Sequence, residues 1–132
     1  MIYMLDTNAC IEHLRNPACN VGLKMNEKWR DDFVISAMTE FELLYGAANS
    51  DNPIEEETKV SNFLRRFECA PFGRHAAALA GQLRVDLEAQ GKMIGPFDLL
   101  IAATAIIRGA KLITHNVDEF SRVPHLDWED WH

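Results

Sequence analysis

The sequence lacks the features that mark disulfide-rich, secreted or membrane proteins. Its three cysteines are odd in number and show no CxxC spacing, which indicates neither a disulfide framework nor a zinc site. No window approaches the run of about 18 apolar residues that predicts a membrane span. The chain also begins without the basic segment of a secretion signal. We therefore expect a reduced, cytoplasmic protein that does not contact membranes.

Basic residues are also in short supply. Thirteen lysines and arginines face 20 aspartates and glutamates, so the formal charge is −7. A protein that holds nucleic acid through a general basic surface needs clustered cations to displace counterions, and this composition excludes that mode. Contact with nucleic acid must be local, or must be helped by a metal ion or a partner. Surface solvation is the default role of the cations that could touch phosphate, which are Lys24, Lys28, Arg30, Arg65, Arg66, Arg84 and Lys92.

Short apolar runs alternate with helical patterns along the chain. With 48% apolar residues, residues 1–132 can fill the core of a single domain. The alternation predicts an α/β fold with a central, mostly parallel sheet of about five short strands, covered by helices on both faces. The predicted strands are Ile2–Leu5, Phe33–Ser36, Cys69–Phe72, Lys111–Thr114 and a last edge strand in the tail between Val117 and Trp131.

Helical periodicity and capping residues predict the segments between the strands. Asn52, Pro53 and Glu55 are typical of a helix start with Asn52 as its cap. The segment Phe97–Ile107 is apolar all round, which indicates a helix in the centre of the domain. The remaining predicted helices cover residues 8–15, 37–48, 53–67 and about 76–90, and residues 20–31 form a surface helix or loop.

Polar side chains fall where the predicted strands end. Asp6 follows the first strand, Asn116 lies just past Thr114, and Asp98 occupies the first turn of the apolar helix. Ligands of parallel sheets bind beyond the carboxyl ends of the strands, so these positions are consistent with one shared cleft. Simpler roles remain open, because Asp6 or Asn8 can cap a helix and Asp98 can complement a helix dipole.

The helix over residues 37–48 leaves the position of a further acid open. Glu42 can form a capping box with Thr39. Glu40 and Glu42 flank the predicted buried arc on opposite sides at similar angles, so periodicity does not choose between them. That arc consists of Ala37, Met38, Phe41, Leu44, Tyr45 and Ala48.

Four segments in this order and spacing resemble the PIN-domain nucleases, and most closely the VapC toxins of bacterial toxin–antitoxin pairs. They are Met4-Leu5-Asp6-Thr7-Asn8, Phe41-Glu42-Leu43-Leu44-Tyr45-Gly46-Ala47, Ile94-Gly95-Pro96-Phe97-Asp98-Leu99-Leu100-Ile101-Ala102 and Leu112-Ile113-Thr114-His115-Asn116-Val117-Asp118-Glu119-Phe120. The closing Trp128-Glu129-Asp130-Trp131 resembles the enterobacterial-type VapC group. The resemblance runs essentially end to end and implies a three-layer α/β/α, Rossmann-like PIN fold.

The resemblance also implies the residues of the site. The family's acidic, metal-binding and catalytic cluster maps to Asp6, Glu42 and Asp98, with Asn116 at the fourth position. Many relatives carry Asp at that fourth position, which leaves open whether one or two metal ions bind. Supporting polar positions of the family map to Thr7, Asn8 and Thr114.

Two further residues lie beside the fourth position. Asp118 is a candidate substitute acid, although surface exposure is its default interpretation. His115 matches no catalytic position of the family, and we expect it to be a loop residue.

Chemistry supports a metal at such a cluster. Two carboxylates about 4 Å apart repel by roughly 4 kcal/mol at an effective dielectric of about 20. A cation relieves that repulsion, and oxygen-only ligands favour Mg²⁺ or Mn²⁺ over zinc. The family implies an endoribonuclease that stops translation by cutting structured RNA, with the anticodon loop of tRNA, and initiator tRNA first, as the expected target.

The resemblance implies partners as well. A VapB antitoxin is expected to wrap the toxin and block the cleft, often with a basic side chain among the acids. The family usually forms homodimers, and its toxin–antitoxin assembly binds promoter DNA only through the antitoxin.

Two other functions remain as alternatives. A Mg²⁺-dependent phosphoryl-transfer domain also places Asp at a strand end, but the phosphatase pattern needs a second Asp where this chain has Asn8, and a receiver domain needs a late-strand Lys where Lys111 instead opens its strand. A PIN-like module without catalysis would use its acids only to receive a basic peptide.

Overall fold

The fold is built on a parallel sheet of five short strands. A computed structural model describes all residues from Met1 to His132. Every pair of neighbouring strands is parallel, and the strand order is β3-β2-β1-β4-β5. The predicted α/β architecture is thus confirmed, with every strand parallel. The strands are β1 (Ile2–Leu5), β2 (Phe33–Ser36), β3 (Glu68–Ala70), β4 (Ala110–Ile113) and β5 (Trp128–Glu129).

Seven helices cover the two faces of this sheet. The longest, α5, has 16 residues, and none of the helices combines the length and apolarity needed to cross a membrane. A short 3-10 turn at Arg30–Asp32 precedes β2. The helices are α1 (Thr7–Arg15), α2 (Asn20–Asn26), α3 (Ala37–Ala48), α4 (Pro53–Leu64), α5 (Arg74–Ala89), α6 (Pro96–Arg108) and α7 (Val117–Phe120).

The central strand β1 divides the core into two halves. Side chains alternate across a strand, so Met4 packs into one hydrophobic cluster and Leu5 into the other, and both are fully buried. The cluster on the Met4 side is built largely from α5 and α6. Because both faces of β1 are buried, its carboxyl end is held rigidly. Asp6 follows directly after that end.

The buried side of α3 differs from the predicted arc. Thr39, Leu43 and Ala47 face the core, whereas Phe41 and Tyr45 are 50% and 61% exposed. The prediction was wrong because it grouped the apolar residues of α3 together, although two aromatic side chains lie on the outer surface. Leu44 is exposed as well.

Smaller corrections concern helix and strand ends. Asn52 occupies the cap position of α4, but its side chain makes no capping hydrogen bond, and the helix ends at Leu64 rather than near Phe67. Strand β3 ends at Ala70, because the chain turns away before Phe72. Ile107, which was predicted to lie in an all-buried helix, is 51% exposed.

We predict opposite effects for two Gly→Ala substitutions in helices. A Cβ on Gly22 would lie 2.0 Å from the Pro17 carbonyl oxygen, whereas a Cβ on Gly81 would meet nothing within 4 Å. Gly22→Ala should therefore lower the free energy of unfolding by about 1–3 kcal/mol through overpacking. The matched control Gly81→Ala should raise it by about 0.5–1 kcal/mol, because Ala loses less backbone entropy in a helix. Urea unfolding of both variants tests this, and a neutral Gly22→Ala would contradict the close approach.

Candidate active site

Asp6 follows β1 directly and is fixed by hydrogen bonds to its backbone and its side chain. Its backbone N–H donates to the Ile113 carbonyl at 3.0 Å, which ties it to β4. Its carboxylate caps α1 by accepting from the Ala9 N–H at 2.8 Å, and it also accepts from the Thr114 side chain. The capping role considered from the sequence is therefore real, and it coexists with a position at the mouth of the site.

Thr114 links Asp6 to the loop after β4. Its hydroxyl donates to Asp6 and its oxygen accepts from the Asn116 backbone N–H at 2.9 Å. Thr114 is fully buried, so this link is shielded from water. The predicted supporting residue thus connects two of the predicted site residues.

Glu42 is held by a chain of hydroxyl groups. Thr7 Oγ1 donates to Glu42 Oε1 at 2.7 Å, and the Thr7 and Thr39 hydroxyl oxygens lie 3.1 Å apart. Since the single Thr7 proton goes to Glu42, Thr39 is the donor in the second contact. Ser36 continues the chain, because its hydroxyl lies 3.1 Å from Thr39 Oγ1 and caps α3 by accepting from the Thr39 N–H.

These contacts decide two matters that periodicity left open. Thr39 does not form a capping box with Glu42, because Ser36 is the cap of α3. Glu42 faces α1 and the acids, whereas Glu40 interacts with Cys69 on the other side of the helix.

Asp98 lies in the first turn of α6 and shares its surroundings with Glu119. The Asn116 side-chain amide donates to Asp98 Oδ2 at 3.3 Å and to Glu119 Oε2 at 3.1 Å. A Cβ on Gly95 would lie 3.5 Å from Asp98 Oδ2 and 3.9 Å from Glu119 Oε2. Gly95 therefore lies directly beside both carboxyl groups.

Glu119 is the site residue that the sequence interpretation missed. Asp118, the candidate substitute acid, is exposed and points away, and its neighbour Glu119 reaches the cluster instead. Glu119 follows Asn116 by three residues, so both lie on one face of the short helix α7. That spacing was the signal available in the sequence.

Burial and the neighbouring carboxyl groups raise the affinity of Asp98 for a proton. Burial is the largest cause that raises the pKa of Asp98 to about 7, followed by its hydrogen bond with Glu119 and the charges of Glu119, Asp6 and Glu42. The same hydrogen bond lowers the pKa of Glu119, which means that the proton of the pair resides on Asp98. Burial also raises the pKa of Asp6. Burial and neighbouring charge thus both disfavour the ionised form of Asp98, and a bound cation would counter both effects.

This arrangement fits a divalent cation. The donor set consists of carboxylates with one side-chain amide, and no histidine or cysteine belongs to it. Oxygen donors suit hard ions such as Mg²⁺ and Mn²⁺. Asp6, Glu42 and Asp98 would hold the ion.

Two cavities adjoin the cluster. One of about 440 Å³ is lined by the exposed Asn8 together with Asn116 and Arg15. The other, of about 810 Å³, runs between α1, α3 and α4 and reaches Glu42. Arg15 lines both cavities, although it was not among the predicted phosphate contacts.

Most of the predicted phosphate contacts lie elsewhere or are engaged. Lys28 lies over the rings of Tyr3 and Trp131, and Arg84 pairs with Glu88. Arg66 lines the larger cavity and also lies over the ring of Phe67. Of the seven cations named from the sequence, Arg66 is the one that lines either of these two cavities.

Fold and site together define a class of protein. Asp6, Glu42 and Asp98 come from three separate parts of the chain and lie near the carboxyl ends of β1 and β4, where strand order reverses, close enough for the charges of Asp6 and Glu42 to act on Asp98. Oxygen-only clusters of this kind hold the ions of metal-dependent phosphodiesterases.

Comparison with known proteins identifies the family. The PIN domain model matches residues 3–126. The tRNA(fMet)-specific endonuclease VapC of Shigella flexneri is 38% identical over 98% of this chain and 97% of its own length. Ribonuclease VapC2 of Rickettsia felis is 38% identical over 99% of this chain and 98% of its own.

Solved structures agree with these relatives. DNA-bound VapBC from Salmonella typhimurium has a chain with a TM-score of 0.93 and 36% identity, covering 100% of this chain and 99% of that one. VapBC2 from Rickettsia felis, bound to a promoter DNA fragment, has a TM-score of 0.92 and 35% identity, with both chains covered completely. The chain belongs to the PIN-domain family, and within it to the VapC ribonucleases.

We predict a pH-dependent stability effect of Asp98→Asn in the metal-free protein. Between the ordinary pKa of 3.8 and the folded pKa of about 7, the folded state binds a proton that the unfolded chain has lost. Stability from this group is full below pH 3.8 and is lost as pH rises through 7. Asn carries no such proton, so the variant's gain in melting temperature over wild type should be larger at pH 8 than at pH 5.

Thermal unfolding in chelator at both pH values measures this effect. Asp118→Asn is the matched control, since Asp118 is an exposed acid outside the cluster, and we expect no difference between the two pH values. A gain in melting temperature for Asp98→Asn that is the same at pH 5 and pH 8 would show that ionisation of Asp98 does not destabilise the folded protein.

Proposed function

We propose that this chain is a Mg²⁺-dependent endoribonuclease toxin that inhibits translation by cutting structured RNA. The grouping of Asp6, Glu42, Asp98 and Glu119 carries the proposal, because burial first, and then the hydrogen bond and charge of Glu119 and the charges of Asp6 and Glu42, raise the pKa of Asp98 to about 7. A divalent ion held by Asp6, Glu42 and Asp98 would offset the negative charge of these groups, and it would supply water activation and charge neutralisation for phosphodiester cleavage.

The roles of the side chains follow from their contacts. Asp6, Glu42 and Asp98 are the proposed metal ligands and catalytic acids. Thr7 orients Glu42, and Thr114 orients Asp6. Asn116, at the fourth family position, acts through its amide by holding Asp98 and Glu119 in place, so Glu119 supplies the fourth carboxylate.

The proposed substrate is tRNA, cut in the anticodon loop, with initiator tRNA as the first candidate. The support comes from the Shigella and Salmonella relatives, which are named tRNA(fMet)-specific endonuclease VapC and are 38% and 36% identical to this chain. RNA loops expose unstacked bases, which a shaped surface beside the acids can select. Asn8 and Arg15 line the smaller cavity and are the proposed RNA contacts.

The proposed partner is a VapB antitoxin that occupies the larger cavity. Its lining combines apolar side chains such as Leu43, Val60 and Phe63 with Glu42 at the acidic cluster. An extended segment with apolar side chains and a basic residue toward Glu42 would fill the groove and supply the missing positive charge. The structural relatives from Salmonella and Rickettsia are VapBC complexes with DNA, which supports promoter binding through the antitoxin.

We also propose a homodimer in the cytoplasm. Phe41, Tyr45 and Phe97 form an exposed aromatic face, with the rings of Phe41 and Phe97 5.6 Å apart. A second copy that covers this face would remove apolar surface from water. Neither a phosphoryl-transfer domain nor a module without catalysis is favoured by any contact at the site.

We predict that Asp98→Asn and Glu42→Gln each reduce cleavage more than about 100-fold, because each removes a carboxylate from the ion. The assay follows the cutting of initiator tRNA and an elongator tRNA transcript in Mg²⁺, with and without EDTA, and maps the new 5′ ends. Asp118→Asn is the control and should cleave like wild type. Circular dichroism confirms that each variant is folded.

The outcomes separate the parts of the proposal. Wild-type cleavage by Asp98→Asn, or cleavage that resists EDTA, would refute the metal-dependent mechanism. Equal cutting of both tRNAs would refute the initiator preference alone.

We predict a smaller effect for Thr7→Val. Valine keeps the branched shape and removes only the hydroxyl that donates to Glu42, so cleavage should fall by about 10–100-fold. Raising the Mg²⁺ concentration should recover part of the loss, because the loosened ligand weakens metal binding. Thr58→Val is the matched control, as the exposed Thr58 hydroxyl donates only to the Ile54 carbonyl, and its activity should not change. Full activity of Thr7→Val would exclude a positioning role.

A further inference from the structure

Two histidines and an aspartate lie together beside the acidic cluster. They are His115, in the loop after β4, and Asp130 and His132, in the segment after β5. One ligand atom from each of the three lies within 4.8 Å of the others. None of the three belongs to the proposed nuclease machinery, and the family resemblance assigned His115 no role.

The Asp130 carboxylate contacts the imidazole rings of both His115 and His132. His115 Nδ1 lies 2.9 Å from Asp130 Oδ2, and His132 Nδ1 lies 3.3 Å from Asp130 Oδ1. The two rings stack with centroids 4.7 Å apart and an angle of 29° between their planes. Nitrogen and oxygen donors from three side chains therefore already face one small volume.

The backbone beneath these side chains is fixed by strand pairing. The Thr114 N–H donates to the Glu129 carbonyl at 3.0 Å, which joins the two segments directly before His115 and Asp130. Trp131, between Asp130 and His132, is only 2% exposed and anchors the segment in the core. The His132 N–H also donates to Asp130 Oδ1 at 2.9 Å. The donors are thus presented by an ordered edge of the sheet.

We propose that His115, Asp130 and His132 form a second metal site, selective for Zn²⁺ and related transition ions over Mg²⁺. Imidazole nitrogen suits Zn²⁺, Co²⁺ and Ni²⁺, whereas Mg²⁺ takes oxygen ligands. Ligands of one zinc ion at about 2.0–2.2 Å lie at most about 4.4 Å apart. A small rotation of His115, whose side chain is 67% exposed, closes the remaining distance.

Water can supply the fourth ligand, because three protein ligands and water complete a tetrahedral zinc site. Glu12 Oε2 lies 3.9 Å from His132 Nε2, whereas Asp130 contacts His132 at Nδ1, so Glu12 can help to orient the imidazole ring.

The site would act on the loop that carries Asn116. A metal ion between His115 and His132 would tie this loop to the segment after β5, next to the residue that positions Asp98 and Glu119. Binding to the folded state alone raises the melting temperature as the metal concentration rises. The inference does not depend on the nuclease function, because metal binding is measured without RNA.

The experiment titrates the full-length protein with Co²⁺ and Zn²⁺ in saturating Mg²⁺, which fills the acidic cluster. We expect one Co²⁺ per chain with the visible absorption of tetrahedral cobalt, displaced by Zn²⁺, and a rise in melting temperature with Zn²⁺. His115→Ala and His132→Ala should each weaken binding at least tenfold. His75→Ala, which removes an exposed histidine of α5, is the matched control and should bind like wild type.

Asp98→Asn distinguishes the two metal sites. Cobalt binding that persists in Asp98→Asn and is lost in His115→Ala supports the proposal. Binding that is lost in Asp98→Asn, or unchanged in both His115→Ala and His132→Ala, would overturn it, because the ion would then occupy the acidic cluster or another surface. Unfolding curves without metal verify that the variants are folded.

Discussion

Mutual repulsion among carboxyl groups is the constraint on which the site depends. Asp6, Glu42, Asp98 and Glu119 share one end of the sheet, where burial, the hydrogen bond with Glu119 and the charges of the other three acids together raise the pKa of Asp98 to about 7. The protein offsets part of this cost with hydrogen bonds from neutral donors, such as the Asn116 amide. A bound cation would offset the remaining electrostatic cost. A site that is electrostatically unfavourable when empty is suited to binding a divalent ion tightly when the ion is present.

The parallel sheet lowers the electrostatic cost of bringing these acids together. Helix starts lie at the carboxyl ends of the strands, so Asp6 caps α1 and Asp98 lies in the first turn of α6. The free N–H groups and positive dipole end of a helix favour negative charge at both positions. The capping role of Asp6 is therefore compatible with its proposed role as a metal ligand.

Prediction from the sequence succeeded for the fold and for the segments that carry the acids. It failed where one helix had to be oriented: the outward Phe41 and Tyr45 were assigned to the core, and Glu40 and Glu42 could not be separated. Hydrophobic periodicity cannot identify the buried side of a helix that also carries exposed aromatic residues. Apolar residues then mark both the core side and an exposed surface suited to a partner. The family resemblance selected Glu42, and the Thr7 contact is consistent with that choice.

The sequence by itself determined the alternation of strands and helices, most of their bounds and the family, because apolar period, caps and short motifs are local properties. Only the tertiary structure decided that Glu119 rather than Asp118 joins Asp98, and that His115 meets His132 across two strands. Both contacts depend on how β4 and β5 pair and on how α7 is turned against α6. Such long-range geometry is set by the packing of the whole chain, and no short stretch of residues encodes it.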